Sequence, residues 1–391
     1  MSRALRGVLA MLVLGSAIAP AAAGQVRGVV FDDANASGTR DPGERGLAGV
    51  AVSNQADVVL SGADGGFELT SPGEGIVFVS VPDGRRAVGR FWQRIGSGPA
   101  PLLFALAPAP RTAEFTFIHA SDTHLAERSL PRARRLRVLT DSLRPAFVLI
   151  TGDLVRDALR VPEPEATGYY EMFVRETGSF PAPVHAVPGN HELFGIERHH
   201  SLVAATNPMY GRGMYRHYLG PDYYSFSYGG VHFVGLNTAD HDDLWYYGHV
   251  DSLQMKWLER DLAVLPPGTP VVTFNHIPFA SAVHDLDGFD EAGPAPTLIR
   301  VRGKSRYRHV VSNADSVIQT IGHRRLAIAL GGHMHRRESL AVPVDGGTIR
   351  FHQAAAVVAP AQAAGIGTPS GITLYRVRNG VVDDGIFVPL P

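Results

Sequence analysis

The stretch Pro188-Gly189-Asn190-His191-Glu192 places three polar side chains directly after a short apolar run, residues 184–187. The apolar run is typical of a buried strand, and the Pro-Gly pair after it indicates a tight turn. An amide and an imidazole at the end of such a strand need polar partners, because unpaired polar groups are costly to bury. Metal ions and phosphate groups are such partners, so the stretch indicates a site for one or both.

Polar residues of the same chemical kinds follow four other predicted strands. The five predicted strands are residues 115–120, 147–151, 184–187, 271–275 and 326–330, and the predicted helices between them are 131–143, 163–177, 252–265 and 313–321. The residues after the other four strands are Asp122 and His124, Gly152 and Asp153, His276, and Gly331-Gly332-His333-Met334-His335. Ligand sites in α/β sheets form at the carboxyl ends of strands. A single motif such as His276 is more typical of a packed histidine, but the five together predict a shared site in a layered α/β domain.

These five motifs, in this order across residues 113–336, resemble those of the calcineurin-like metallophosphoesterase family. The resemblance implies a layered β-sandwich core flanked by helices, with a dinuclear metal centre. It implies that one metal is held by Asp122, His124, Asp153 and His335, and the other by Asp153, Asn190, His276 and His333. Asp153 then bridges the two ions, because a carboxylate offers two anionic oxygens.

The implied ligands are all nitrogen or oxygen donors, which suits Mn, Fe, Zn, Co or Ni better than a pure Mg or Ca site. We therefore expect two divalent transition metals, with Mn, Fe or Zn foremost. Two such ions about 3.5–4 Å apart activate a shared water. The family places His191 beside the substrate, where an imidazole protonates the leaving oxygen or donates a hydrogen bond. Glu192 either orients His191 or caps the following turn.

The expected activity is hydrolysis of phosphoric esters by a metal-bridging hydroxide, with phosphodiesters favoured over phosphomonoesters. The motif pattern also matches the family's cyclic nucleotide phosphodiesterase branch, and an exported open site suits nucleotide, phospholipid or cell-wall diesters. The alternatives are a phosphomonoesterase of the same family and a catalytically inactive metal-binding surface protein. Serine hydrolase chemistry is disfavoured, because no nucleophile-elbow pattern is present.

Two further groups of residues have two interpretations each. They are the aromatic residues of the long insert between His191 and His276 and the basic residues of the stretch before the fifth motif. The aromatic residues of the insert either stack a base or sugar or, as aromatics in hairpins do more often, pack in the core: Tyr215, Tyr218, Tyr223, Tyr224, Trp245, Tyr246 and Tyr247. The alternating basic residues either collect an anionic substrate or form a solvated face: Arg300, Arg302, Lys304, Arg306 and Arg308.

The first 23 residues have the pattern of a secretory signal peptide. Arg3 and Arg6 precede an apolar run over residues 8–18, and Ala21-Ala22-Ala23 offers small residues at a cleavage site. The pattern predicts an exported protein, periplasmic or secreted, with a retained N-terminal anchor as the alternative. No other apolar stretch approaches the roughly 20 residues of a membrane span, so we expect no transmembrane helix in the mature chain.

Residues 24–108 contain short segments of strand-forming residues separated by Gly, Pro, Asn and Asp, which predicts a small all-β sandwich domain before the catalytic domain, residues 112–391. Within it, oxygen-bearing side chains recur with the spacing of a calcium loop, and this loop resembles that of bacterial cell-surface B-type β-sandwich repeats. Its ligands to a structural calcium would be Asp33, Asn35, Ser37, Thr39, Asp41 and Glu44. The alternative is a turn that binds nothing.

The composition of the chain excludes several kinds of partner and site. The 391 residues contain 36 basic and 37 acidic side chains, giving a net charge of -1, so no basic patch for nucleic acid is evident. The hydrophobic fraction of 45% is enough to bury substantial cores. With no cysteine, disulfides and thiolate metal sites are excluded. The expected partner is a small-molecule or cell-envelope phosphoester.

Overall fold

The structure is a computed structural model of the 391-residue chain. It describes residues 24–96, 100–287, 291, 296–322, 325–344, 347–359, 361–363 and 366–390. The predicted signal peptide, residues 1–23, lies outside the described residues. No helix among those described is both long enough and apolar enough to cross a membrane.

The N-terminal region consists of eight strands in two four-stranded sheets, in the orders β4-β1-β8-β6 and β3-β2-β5-β7. The strands are β1 (Val26–Asp32), β2 (Ala51–Ser53), β3 (Val58–Leu60), β4 (Gly66–Leu69), β5 (Ile76–Val79), β6 (Arg85–Ala87), β7 (Trp92–Arg94) and β8 (Leu102–Pro108). Val30, Phe67 and Leu106 of the first sheet share one apolar core with Val52 and Val79 of the second. The strand-rich region that the sequence predicts is confirmed.

The remainder of the chain alternates strands with helices. The strands are β9 (Glu114–Ala120), β10 (Val148–Thr151), β11 (Val184–Val187), β12 (Tyr224–Tyr228), β13 (Val231–Leu236), β14 (Ala239–Asp242), β15 (Trp245–Gly248), β16 (Pro270–Asn275), β17 (Leu298–Val301), β18 (Lys304–Tyr307), β19 (Arg325–Gly331), β20 (Glu338–Val344), β21 (Gly347–Gln353), β22 (Ala361–Ala363), β23 (Ile366–Thr368), β24 (Gly371–Arg378), β25 (Val381–Val382) and β26 (Ile386–Pro389). The helices are α1 (Leu130–Leu143), α2 (Glu163–Thr177), α3 (Arg198–Ser201), α4 (Gly213–Leu219), α5 (Ser252–Ala263), α6 (Ala282–Asp287) and α7 (Ala314–Ile321).

Two six-stranded sheets form the centre of this region. The first has the order β11-β10-β9-β24-β25 with β26 paired to β24, and the second has the order β12-β13-β16-β19-β21-β20. Strands β9, β10 and β11 run parallel, as do β13, β16, β19 and β21. The C-terminal strand β24 pairs antiparallel with β9, so the end of the chain completes the first sheet.

Alternating side chains of the first sheet enter different cores, as expected for strands covered on both faces. Phe117 and Leu149 point into the core between the two sheets, whereas Ile118 and Val148 pack against α1, α2 and α4 on the other side. Helices α5 and α7 contact each other and cover the second sheet with residues such as Trp257. The predicted layered β-sandwich flanked by helices is confirmed.

A buried carboxylate joins the N-terminal strands to the rest of the chain. Asp222 is fully buried and accepts hydrogen bonds from Arg216 Nε at 2.8 Å, Asn237 Nδ2 at 3.0 Å and Gln55 Nε2 at 3.0 Å. Arg216 also forms an ion pair with Glu74 of the N-terminal region. The two guanidinium groups of Arg216 and Arg212 outweigh burial and hold the pKa of the Asp222 carboxyl well below its usual range.

Candidate metal centre

The carboxyl ends of five strands bring all seven predicted metal ligands together. Asp122 and His124 follow β9, Asp153 follows β10, and Asn190 begins a 3-10 turn after β11. His276 directly follows β16, and His333 and His335 follow β19. Four of these side chains, those of Asp122, Asp153, Asn190 and His276, are almost completely buried.

Five of the seven residues adopt a left-handed backbone, which was not foreseen from the sequence. The φ angles are 55° at Asp122, 38° at His124, 48° at Asp153, 72° at His333 and 54° at His335. The left-handed region is unfavourable for residues with a Cβ, and non-glycine residues in it concentrate at functional sites. The loops after β9, β10 and β19 therefore hold their ligand side chains in a strained conformation.

One group of ligand atoms consists of Asp122, His124, Asp153 and His335, all within 4.8 Å of one another. His335 Nε2 lies 3.2 Å from Asp122 Oδ1 and 3.1 Å from His124 Nε2. His124 Nε2 lies 3.6 Å from Asp153 Oδ2. This group is the set that the resemblance implies for the first metal.

The second group consists of Asp153, His276 and His333, with Asn190 beside it. His276 donates Nδ1–H to the Thr151 carbonyl at 2.8 Å, so its Nε2 is the nitrogen that faces the group. That atom lies 3.1 Å from Asp153 Oδ1, 3.2 Å from Asn190 Oδ1 and 3.2 Å from His333 Nδ1. Asp153 therefore belongs to both groups, one oxygen facing each.

The donor atoms fit two cations. In each group an imidazole nitrogen faces another imidazole nitrogen at 3.1–3.2 Å, close to the spacing of about 3 Å expected for two ligands on one transition-metal ion. Asp122 Oδ1 is buried and lies 3.2 Å from His335 Nε2 without the geometry of a hydrogen bond, although a buried carboxylate oxygen normally needs a partner. Nitrogen and carboxylate donors that converge in this way suit a cation at each of these two points.

The pKa shifts of Asp153 and His276 also favour positive charge beside the Asp153 carboxylate. Burial alone would raise the pKa of Asp153, but His276 and His191 hold it well below its usual range. Burial lowers the pKa of His276, but the Asp153 carboxylate overcomes this effect and raises that pKa to about 9. The buried carboxylate thus stays charged and attracts positive charge to its immediate surroundings.

Two glycines allow the loops to approach this closely. Gly152 has a φ of 78°, and a Cβ there would lie 2.6 Å from three atoms of His276. A Cβ on Gly189 would collide with Asp153 Oδ1 and lie 2.8 Å from His276 Cδ2. Both positions are therefore restricted to glycine by contact with the ligands.

Glu192 braces two of the loops through bonds to backbone N–H groups, so it caps a turn rather than orienting His191. Its Oε1 accepts the backbone N–H groups of Leu154 at 2.8 Å and Val155 at 2.9 Å, and its Oε2 accepts that of Gly189 at 2.6 Å. Burial, with Asp153 nearby, raises the pKa of Glu192 to about 8. Its carboxyl group thus caps its own turn at Gly189 and ties that turn to the loop after β10.

Five of the seven ligand residues line an open cleft of about 520 Å³: His124, Asp153, Asn190, His333 and His335. His191 also lines it, and its backbone N–H donates to Asp153 Oδ1 at 3.0 Å. The other lining residues are Tyr246, His284, Thr297, His309 and Met334. Among the described residues that line a larger cleft of about 890 Å³ beside α7 there is no His, Asp or Glu.

The aromatic residues of the insert include both core residues and a residue of this cleft, whereas the basic residues do not line it. Tyr215, Tyr223 and Tyr224 are core residues, whereas Tyr246 lines the cleft with its ring 5.9 Å from that of His333. Arg308 is buried, with its guanidinium 4.1 Å from the Tyr246 ring centre and donating to the Pro296 carbonyl at 2.8 Å. None of the five basic residues of this stretch lines the cleft.

The predicted calcium loop is held by its own hydrogen bonds. Asp33 is buried and accepts the N–H groups of Ser37 at 2.9 Å and Gly38 at 2.8 Å, while Asn35 Nδ2 donates to Asp41 at 2.8 Å. Glu44 accepts the N–H of Asp41 at 2.9 Å, and Ser37 Oγ lies 3.0 Å from Thr39 Oγ1. The groups of close His and carboxylate atoms among the described residues do not include this loop, so its calcium site stays a prediction.

The comparisons with known proteins agree with this geometry. Residues 115–337 match the calcineurin-like phosphoesterase family, which is more than half of the chain. The chain is 23% identical over 239 residues to a protein of Rhodococcus erythropolis (strain PR4 / NBRC 100887) described as a probable cyclic nucleotide phosphodiesterase, covering 59% of this chain and 67% of that protein.

Among solved structures, the chain is similar to a dimetal phosphatase from Danio rerio, with a TM-score of 0.45, 13% identity and coverage of 71% of this chain and 99% of that one. It is also similar to a protein described as GAP50, the anchor in the inner membrane complex of Plasmodium, with a TM-score of 0.45, 11% identity and coverage of 71% and 85%. From the family match over residues 115–337, the chain belongs to the calcineurin-like phosphoesterase family.

Proposed function

We propose that this protein is a phosphodiesterase with a dinuclear metal centre. The observation that carries the proposal is the pair of ligand groups that share Asp153, each completed by two imidazoles. Asp122, His124, Asp153 and His335 would hold one ion, and Asp153, Asn190, His276 and His333 the other. Two transition-metal ions at these points supply Lewis acidity toward phosphoryl oxygens and a nucleophilic water at neutral pH.

The protein's own residues would then orient the ester and donate a proton to it. His191 lines the cleft beside both ligand groups, with Nε2 lying 3.8 Å from Asp153 Oδ2. From that position a protonated Nε2 delivers a hydrogen bond, or a proton, to an oxygen of the substrate. The Glu192 brace and the two glycines keep Asp153 and His276 fixed, which lowers the reorganisation needed during the reaction.

The charge of the cleft supports a diester over a monoester. A phosphodiester carries one negative charge, whereas a phosphomonoester carries close to two at neutral pH. No Arg or Lys is among the described residues that line the cleft, so beyond the metals only imidazoles are present to meet a second charge. The related Rhodococcus erythropolis protein, described as a probable cyclic nucleotide phosphodiesterase, supports the same choice.

The test is a comparison of mono- and diesters on protein loaded with Mn²⁺ or Zn²⁺. We expect kcat/KM for bis-p-nitrophenyl phosphate to exceed that for p-nitrophenyl phosphate at least ~10-fold, a difference of about 1.4 kcal/mol in transition-state binding. Asn190→Ala and His335→Ala should abolish turnover without unfolding the protein. The reverse substrate preference would make the protein a phosphomonoesterase, and an absence of hydrolysis with any divalent metal would indicate a metal-binding scaffold.

We also propose that the protein is exported, on the basis of the signal-peptide pattern in residues 1–23. Expression in a bacterial host should give a mature protein that begins near Gly24 and is released with the periplasmic or secreted fraction. N-terminal sequencing of that fraction measures this directly. A full-length chain that begins at Met1 and stays with the membrane would identify the segment as a retained anchor.

A further inference from the structure

His309 contacts a ligand imidazole from outside the metal centre. Its Nδ1 lies 2.7 Å from His333 Nε2, and the two rings stack at 4.9 Å between centroids with 28° between their planes. His309 follows β18 and is not part of any of the five sequence motifs. This contact is shorter than the 3.1 Å between His124 and His335 and the 3.2 Å between His276 and His333.

The two nitrogens of His333 face in different directions. Nδ1 lies 3.2 Å from His276 Nε2, on the side of the second ligand group, and Nε2 lies on the side of His309. A neutral imidazole carries one proton, so only one of its nitrogens has a free lone pair for a metal. His333 binds through Nδ1 only when its proton is on Nε2, and that proton then requires an acceptor.

The segment that carries His309 is fixed on both sides. Arg308 is buried beneath Tyr246, with its backbone N–H donating to the Thr297 carbonyl at 2.9 Å. The N–H of Val311 donates to the Pro278 carbonyl at 2.9 Å. The position of the His309 ring therefore does not depend on its contact with His333 alone.

We infer that His309 is a positioning residue of the metal centre: it accepts the Nε2–H of His333, fixes that ring as an Nδ1 ligand, and so sets the affinity of the second metal site. Partners of this kind are known to change metal affinity by roughly 10–100-fold. The inference rests on the dinuclear centre of the proposed function, and it adds a group from outside the ligand set. The first site, which contains no His333, should not depend on His309.

The test is calorimetric titration of metal-free protein with Zn²⁺, which reports both sites without requiring a substrate. A surface group of Glu197, His199 and His200 also places its ligand atoms within 4.8 Å of one another and would add a weak third site. All proteins in the series should therefore carry His199→Ala and His200→Ala. Circular dichroism and thermal melting confirm that each variant is folded.

His309→Leu removes the acceptor, and His309→Asn restores it, because the Asn oxygen can occupy the place of Nδ1. We expect His309→Leu to keep one tight Zn²⁺ and to bind the other ~10–100-fold more weakly, with His309→Asn close to the parent. Two unchanged affinities in His309→Leu would overturn the inference. An equal loss in His309→Asn would overturn it too, because packing and not the hydrogen bond would then be responsible.

A parent protein that binds a single Zn²⁺ would contradict the dinuclear centre and hence both proposals. Failure of the His309 inference alone leaves the parent with two sites and with diester hydrolysis, so the two failures are distinguishable. His309→Leu should also lose one equivalent of metal first during dialysis against a chelator, with the remaining ion held by Asp122, His124, Asp153 and His335.

Discussion

His191 donates its Nδ1–H to the backbone carbonyl of Arg156 at 2.8 Å, and this bond determines which nitrogen is left for chemistry. Its Nε2 therefore faces the cleft and lies 3.8 Å from Asp153 Oδ2. The His124 ring meets it edge-on at 4.6 Å, which limits its rotation. The imidazole is held in one tautomer and one orientation, as is required of a group that transfers a proton.

Removal of the His191 imidazole should slow the hydrolysis of different esters by amounts that depend on their leaving group. His191→Ala should lower kcat by ~10²–10⁴-fold for alkyl esters, whose leaving oxygen needs a proton, and by much less for nitrophenyl esters, whose leaving oxygen does not. Steady-state kinetics on a series of leaving groups measures this, with metal content determined in parallel. An equal loss across the series would assign His191 to binding of a phosphoryl oxygen.

Gly152→Ala should damage the second metal site by steric contact. The new Cβ would lie 2.6 Å from His276, and displacement of that ring by about 1 Å should cost about 10²-fold in kcat/KM. Gly268 provides a matched control, because its φ of 76° is close to the 78° of Gly152 but no atom lies within 4 Å of its Cβ position. Gly268→Ala should lose stability by a similar backbone cost and keep full activity. Equal activity loss in both variants would point to backbone strain as the cause.

Glu192→Gln should loosen the connection between the two loops. A glutamine oxygen can still accept the N–H groups of Leu154 and Val155, but its NH₂ then faces the N–H of Gly189 and leaves that donor without a partner. The expected cost is about 1–3 kcal/mol in the free energy of unfolding, measured by urea denaturation above pH 8, where the Glu192 carboxyl is ionised. Glu197→Gln is a suitable control, because Glu197 pairs with the half-exposed Arg160. An equally large loss in the free energy of unfolding of Glu197→Gln would show that the hydrogen bonds of Glu192 stabilise the fold no more than an ordinary ion pair does.

Asp222→Asn should make the stability less dependent on pH. The Asp222 carboxyl has a lowered pKa in the fold, so its stabilising effect is complete above the unfolded pKa of about 3.9 and is lost as the pH falls below that value. At pH 7 the variant should be less stable by roughly 3–5 kcal/mol, because Arg216 and Arg212 lose their buried partner. The difference between the two unfolding curves should be constant from pH 7 to about pH 4 and should shrink below pH 4, because there the unfolded state takes up a proton on Asp222 that the folded state does not. A difference that stays constant below pH 4 would mean that Asp222 acts through packing alone.

The sequence predicted the parts of this structure that follow from local pattern. Apolar strands that end in Asp, Asn or His bring their polar residues together because parallel strands share one carboxyl edge. Short helices such as α3 and α4 have too few residues for a helical period to be visible, and they were not predicted. The left-handed φ angles were also missed, because Asp and His adopt this region more often than other residues with a Cβ but still only in a minority of cases.

His309 was missed for a different reason. It follows a stretch of alternating basic residues for which the sequence left two interpretations, an anion-collecting surface and a solvated face, and neither points to a contact between His309 and a metal ligand. The packing of Arg308 against Tyr246 and the backbone bonds of Arg308 and Val311 hold this segment beside the cleft. The partners of Glu192 depend on tertiary structure in the same way, since Leu154 and Val155 lie 38 and 37 residues away along the chain.

The left-handed backbone of the ligand loops affects which amino-acid substitutions selection for stability would favour. Each of Asp122, His124, Asp153, His333 and His335 occupies a conformation that costs on the order of 1–2 kcal/mol for a residue with a Cβ and almost nothing for glycine. Glycine at any of these positions would relieve strain and remove a ligand in one step. A library of variants selected only for heat resistance should therefore become enriched in inactive proteins, and an active protein will persist only where hydrolysis itself is under selection.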